Sequence, residues 1–231
     1  MRIQKLAYCL AASLSTFATM SVAQFANAST NQVAIPANTS SNQVAQTPSL
    51  PTDQVYIKDF TYAGSGCPAN SVGSLLSDDR SVLEVLFDRL QVNLQPTGQA
   101  AFPQQSNCAL SIKLHIPAGW SATWHRVEHR GFADTSGKAT GELRARYYIP
   151  GAGGFDANRV FNFKPNYVRD YTIIHDNIST AYTACGREVP MTVNTRIRLS
   201  GRPTGYNALT VDSISKKVKT TLFLKYKRCS R

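Results

Sequence analysis

Four stretches of this chain alternate apolar and polar residues with period two, and nothing after residue 28 sustains the 3.6-residue period of a helix. Cys108, Leu110, Ile112, Leu114 and Ile116 fall on one side, with Ser111, Lys113 and His115 on the other. Leu143, Ala145, Tyr147 and Ile149 oppose Glu142, Arg144, Arg146 and Tyr148. Met191, Val193, Ile197 and Leu199 oppose Asn194, Arg196 and Arg198. Val218, Leu222, Leu224 and Tyr226 oppose Lys217, Lys219, Lys225 and Lys227, with Phe223 interrupting the polar side. Successive side chains of a strand leave opposite faces, so each stretch predicts a half-buried antiparallel strand. Weaker strands are predicted at 55–62, 120–127, 159–163, 168–175 and 208–214. Between 81 and 94 the parity switches, from Leu83, Val85 and Phe87 to Leu90, Val92 and Leu94, which predicts a bulge or a strand changing sheets near Asp88-Arg89. Gly and Pro punctuate the chain at 96–98, 150–154 and 201–205. The expectation is an all-β protein: one antiparallel β-sandwich over residues 54–231.

Residues 1–28 have the grammar of a secretory signal peptide. Arg2 and Lys5 precede an apolar run from Leu6 to Val22, and Ala26-Asn27-Ala28 offers a small-x-small cleavage site, with Ala23 an alternative. Ser13, Ser15, Thr16 and Thr19 dilute the run too far for a membrane anchor, and no transmembrane segment is predicted in the mature chain. Residues 29–53 are polar and uncharged until Asp53, a composition that predicts a disordered tether. The product is expected to be secreted, extracellular or periplasmic.

Cys9 leaves with the leader, and the remaining Cys67, Cys108, Cys185 and Cys229 read as two disulfides in an exported chain. Four cysteines allow three connectivities. Cys67–Cys108 and Cys185–Cys229 are favoured because they close loops of similar size, 41 and 44 residues. No Cys-x-x-Cys or Cys/His pair has the spacing of a metal site, and no metal or other cofactor is expected. In Phe60–Ser74, Gly64 and Gly66 permit angles that a Cβ resists and Pro68 fixes the exit, so Cys67 is placed to bolt a corner to a distant strand.

His125-Arg126-Val127-Glu128-His129 spells the H-x-x-E-H motif of inverted zinc proteases, which needs a helix. In strand-like surroundings residues four apart are about 13 Å from one another, too far for one ion. These two are read as partly exposed strand histidines, and His115 and His175 likewise as strand residues. Gly64-Ser65-Gly66 is not a nucleophile elbow, and Gly151-Ala152-Gly153-Gly154 lacks the lysine and helix of a phosphate loop. Asp78-Asp79, Asp88 and Asp134 are read as turn and loop-end acids.

The segments Tyr62–Pro68, Phe87-Asp88, Asn107-Cys108, Pro117–Trp120, Arg130–Asp134, Tyr147-Tyr148, Cys185-Gly186, Asn194–Leu199 and Lys227–Cys229, in that order, resemble domain-of-unknown-function family 4360, secreted proteins of fungi and bacteria. The resemblance implies secretion, a β-rich fold and paired cysteines. It implies no established activity, so no catalytic residue is carried over.

The chain carries a net charge of +11, reduced to about +9 when Arg2 and Lys5 are removed. Arg144, Arg146, Arg196, Arg198, Lys217, Lys219, Lys225 and Lys227 would present a comb of cations if their strands shared a sheet, with Lys217, Lys219, Arg196 and Arg198 co-facial. Such a face attracts polyanions. Tyr148, Trp124 and Phe223 are candidate stacking platforms for sugars. The expected function is non-enzymatic contact with anionic glycans or an envelope surface, without specific nucleic-acid recognition. The alternatives are a hydrolase of cell-wall polysaccharide and a purely structural surface protein.

Overall fold

The alternating stretches become long strands. In the computed structural model, which describes residues 49–96, 101–151, 156–178, 181–211 and 219–230, the strands in chain order are β1 (Tyr56–Ala63), β2 (Val72–Leu76), β3 (Val82–Phe87), β4 (Gln91–Leu94), β5 (Ala101–His115) and β6 (Trp120–Asp134). They continue as β7 (Ala139–Tyr148), β8 (Asp156–Phe163), β9 (Val168–Asp176), β10 (Pro190–Gly201), β11 (Asn207–Thr210) and β12 (Thr220–Arg228). A single 3-10 turn, Thr52–Gln54, is the only helical element among the described residues. The expected leader, nearly all of the tether and Lys217 lie outside them.

Two antiparallel sheets form the sandwich. The first runs β1-β5-β10-β7-β8. The second holds the other seven strands around β6, which pairs β9 along one edge over Arg126–Asp134. Its other edge pairs β12 up to His129 and then β11 from Phe132, so β11 and β12 lie end to end in one lane. Their outer partners β4 and β3 do the same in the next lane. The parity switch predicted at Asp88-Arg89 is the kink between those two strands, within one sheet. It is pinned by hydrogen bonds from Asp88 N to Ser71 O and from Val211 N to Leu90 O. Leu83, Val85 and Phe87 before the kink, and Leu90, Val92 and Leu94 after it, therefore all reach the same core.

Several elements differ from expectation. The strand predicted at 120–127 runs on to Asp134, because its second half finds β9 and β11 as partners. The short strand β2 carries no alternation signal, and its residues are paired only through β3. β11 ends at Thr210.

The β1–β2 corner crosses from one sheet to the other, and Cys67–Cys108 fastens it to β5. Gly64 adopts φ +145°, and a Cβ there would lie 2.2 Å from Asn107 O. Gly66 is needed for room, not for angle: its Cβ would lie 2.4 Å from Leu90 Cδ1. Cys185–Cys229 joins the β9–β10 connection to the end of β12.

Candidate functional site

The outer face of the five-stranded sheet collects the polar side chains of its central strands. β10 turns Met191, Val193, Ile197 and Leu199 into the core, which leaves Thr192, itself only 7% exposed, with Asn194, Arg196 and Arg198 on the other face. β7 likewise buries Leu143, Ala145 and Tyr147 and presents Glu142, Arg144, Arg146 and Tyr148. The register sets these in rows: Arg196 lies between Arg144 and Asn107, Asn194 between Arg146 and Ala109, and Thr192 between Tyr148 and Ser111. On the β5 side the side chains are short and on the β7 side long, so a trough follows β10.

Two adjoining depressions lie along this trough, and a third lies farther along the same sheet. One, of about 520 Å³, is lined by Thr61, Ser111, Tyr148, Thr192 and Asn194 with two prolines. The next, of about 330 Å³, is lined by Asn107, Arg144, Arg146, Asn194 and Arg196, and shares Ala109 and Asn194 with the first. The third, of about 420 Å³, reaches from Glu142 and Arg198 to Lys164. Arg144 and Arg196 face each other as like charges and donate to the same carboxylate, Glu142 Oε1, at 3.3 and 3.1 Å. The Arg144 guanidinium, followed by that of Arg196, holds the Glu142 carboxyl below its ordinary range. The Arg146 guanidinium, which lines the second depression, lies 5.6 Å from the ring centroid of Tyr148, which lines the first.

Of the lysines predicted to join this face, the three that are described do not. Lys219 precedes β12 and Lys225 and Lys227 lie on it, in the other sheet, so Lys219 is not co-facial with Arg196 and Arg198. There Lys219 pairs with Glu84, and Lys227 lies over the Tyr182 ring at 4.2 Å. On the same sheet Glu128 is clamped between Arg126 and Arg130, whose guanidiniums more than offset the upward push of burial on its pKa.

Of the three proposed stacking platforms, Tyr148 reaches the trough. Trp124 is wholly buried in the core, and Phe223 packs against His125 and Arg126. One histidine departs from expectation: His129 is buried, not partly exposed, and His175, on its predicted strand, is buried beside it. His129 Nδ1 is hydrogen-bonded with the Thr220 hydroxyl and Nε2 with the Tyr147 hydroxyl, which also meets His175 Nδ1. His125 instead sits edge-on to Phe223, so the two histidines of the H-x-x-E-H string share no ligand position. His115 is bonded to Glu188 and stacked on Tyr56. Asp79 accepts hydrogen bonds from Ser77 and Ser81 in the β2–β3 turn, which lower its pKa to about 2, and Asp134 accepts from Ser136 N.

The model of the family described as "Domain of unknown function (DUF4360)" matches residues 53–229. The chain belongs to the DUF4360 family. An uncharacterised secreted protein of Arthroderma benhamiae is 30% identical over 184 residues, covering 77% of this chain and 73% of its relative. With that secreted relative and two disulfides, the chain is a secreted protein. Among solved structures, one titled as TmCBM61 in complex with beta-1,4-galactotriose aligns at 12% identity and a TM-score of 0.26, over 75% of this chain and 90% of the other. No residue is carried over from it. Among the described residues no helix is long and apolar enough to cross a membrane.

Proposed function

We propose that this secreted protein is a non-enzymatic binding module that holds anionic extracellular or envelope polymer along the trough of its five-stranded sheet. The observation that carries the reading is the convergence of Arg144, Arg146 and Arg196 on one depression in that trough. Guanidiniums present several N–H donors in a fixed plane and retain their charge, which suits carboxylate and other anionic groups. A hydrolase of polysaccharide fits less well. Glycoside hydrolysis takes two carboxyl groups across the scissile bond. Among the described side chains lining the three depressions, Glu142 is the only carboxylate, and two arginines occupy it.

Affinity electrophoresis of the secreted protein through gels containing a polyuronate or a neutral galactan tests this. Retardation by the polyuronate is expected, weakening as salt rises and lost in the Arg144→Gln/Arg196→Gln double variant. Retardation indifferent to salt and to that double substitution would remove the basis of the reading.

A further inference from the structure

We infer that the trough is built for an acidic polysaccharide in which a charged sugar alternates with an uncharged one, the acid seated among Arg144, Arg146 and Arg196 and the neutral sugar beside Tyr148. This rests on the binding function proposed above and narrows its ligand. The first depression is lined by hydroxyls and an amide, from Thr61, Ser111, Thr192 and Asn194, beside aromatic, proline and alanine surface, with no formal charge. That combination suits a sugar ring, whose edge carries hydroxyls and whose face is apolar. The adjoining depression offers three guanidiniums and two asparagines. The two share Ala109 and Asn194, so one extended chain can occupy both. Thr192 and Arg196 are about 13 Å apart along an extended strand, so the ligand must be an oligomer to reach from one to the other.

Charge along the sheet face runs from neutral, to cationic, to mixed, because Glu142 stands in the third depression with Arg198 and Lys164. A uniformly charged polymer would lay anions over the uncharged surface of the first depression, where no cation lines the wall. Intermittent charge avoids this. Asn194 Oδ1 at the junction and Arg196 Nε in the second depression are shielded from solvent and lack any hydrogen-bond partner among the described residues.

Calorimetric titration with four probes at one ionic strength is the test: hyaluronan (alternating uronate and N-acetylhexosamine), polygalacturonate, inorganic polyphosphate and neutral galactan. Hyaluronan is expected to bind at least about tenfold more tightly than polygalacturonate or polyphosphate, equivalent to about 1.4 kcal/mol. Thr192→Val and Ser111→Ala, each checked for an unchanged melting temperature, should lower hyaluronan affinity severalfold and leave polygalacturonate binding as it was. If polygalacturonate or polyphosphate binds as well as hyaluronan and neither substitution matters, the alternating ligand is wrong. The binding function survives that result as long as Arg144→Gln/Arg196→Gln abolishes the interaction. If none of the charged polymers binds, both inferences fall.

Discussion

The hydroxyl of Tyr147 lies 2.7 Å from His129 Nε2, and this contact joins the two sheets through the middle of the core. Tyr147 belongs to β7, whereas His129 and His175 belong to β6 and β9 of the opposite sheet. The same hydroxyl is 2.7 Å from His175 Nδ1, and Thr220 Oγ1 is 3.0 Å from His129 Nδ1. A tyrosine hydroxyl donates once and also accepts, so both rings are satisfied while neutral. Burial, assisted by the neighbouring His175, presses the pKa of His129 down to about 3. Burial followed by Arg159 brings His175 to about 4. The residues on either side of Tyr147 are Arg146 and Tyr148, so this pin anchors the strand that forms one wall of the trough.

Tyr147→Phe keeps the ring and removes the hydroxyl, leaving His129 Nε2 and His175 Nδ1 without their partner. A loss of about 1–3 kcal/mol is expected, the usual cost of a buried polar group left unpaired. Urea unfolding measures it, and a midpoint equal to that of the wild type would contradict the described geometry.

Stability should fall with acid in a particular window. Both histidines are harder to protonate in the folded protein than at the ordinary 6.5, so the unfolded chain binds more protons below that pH. Their contribution is complete above about pH 6.5 and is lost progressively toward the folded values near 4 and 3, at up to about 1.4 kcal/mol per pH unit for each ring. Between pH 6.5 and 5 the carboxylates are mostly ionised, so histidines dominate the slope, with His125, whose pKa burial also lowers, adding to it. Over that interval His175→Gln should show a shallower slope than the wild type.

Glu142→Gln should strengthen polyanion binding. The carboxylate now neutralises part of Arg144 and Arg196, and its removal frees both guanidiniums for a ligand. Stability should change by no more than about 1 kcal/mol, since ion pairs open to solvent contribute little. Glu128→Gln on the opposite sheet serves as the control and should leave retardation in a polyuronate gel unchanged.

At the β1–β2 corner, Gly64→Ala should cost about 1–3 kcal/mol or more, because a residue with a Cβ meets both a disfavoured φ and the Asn107 carbonyl. Replacing Cys67 and Cys108 together by serine should cost about 2–5 kcal/mol. Thermal melts of the two variants, with and without reductant, separate the contributions: reductant should further destabilise Gly64→Ala through the bond that the double serine variant already lacks at this corner.

Much of this architecture could be read directly from the chain, because a strand's side-chain period is local. Which residues of β5, β7 and β10 face inward follows from two-residue alternation alone, and the outward set Arg144, Arg146, Tyr148, Arg196 and Arg198 follows with it. Even the kink after Phe87 left a mark, since an extra residue shifts parity. Alternation says nothing, however, about which strands become neighbours. Pairing depends on contacts between residues far apart in sequence, and these placed β7 beside β10 while sending β12 to the other sheet. That choice separated the arginines from the lysines and turned a predicted comb into a trough. It also brought His129, His175 and Tyr147 together from three strands, a meeting that no local pattern encodes.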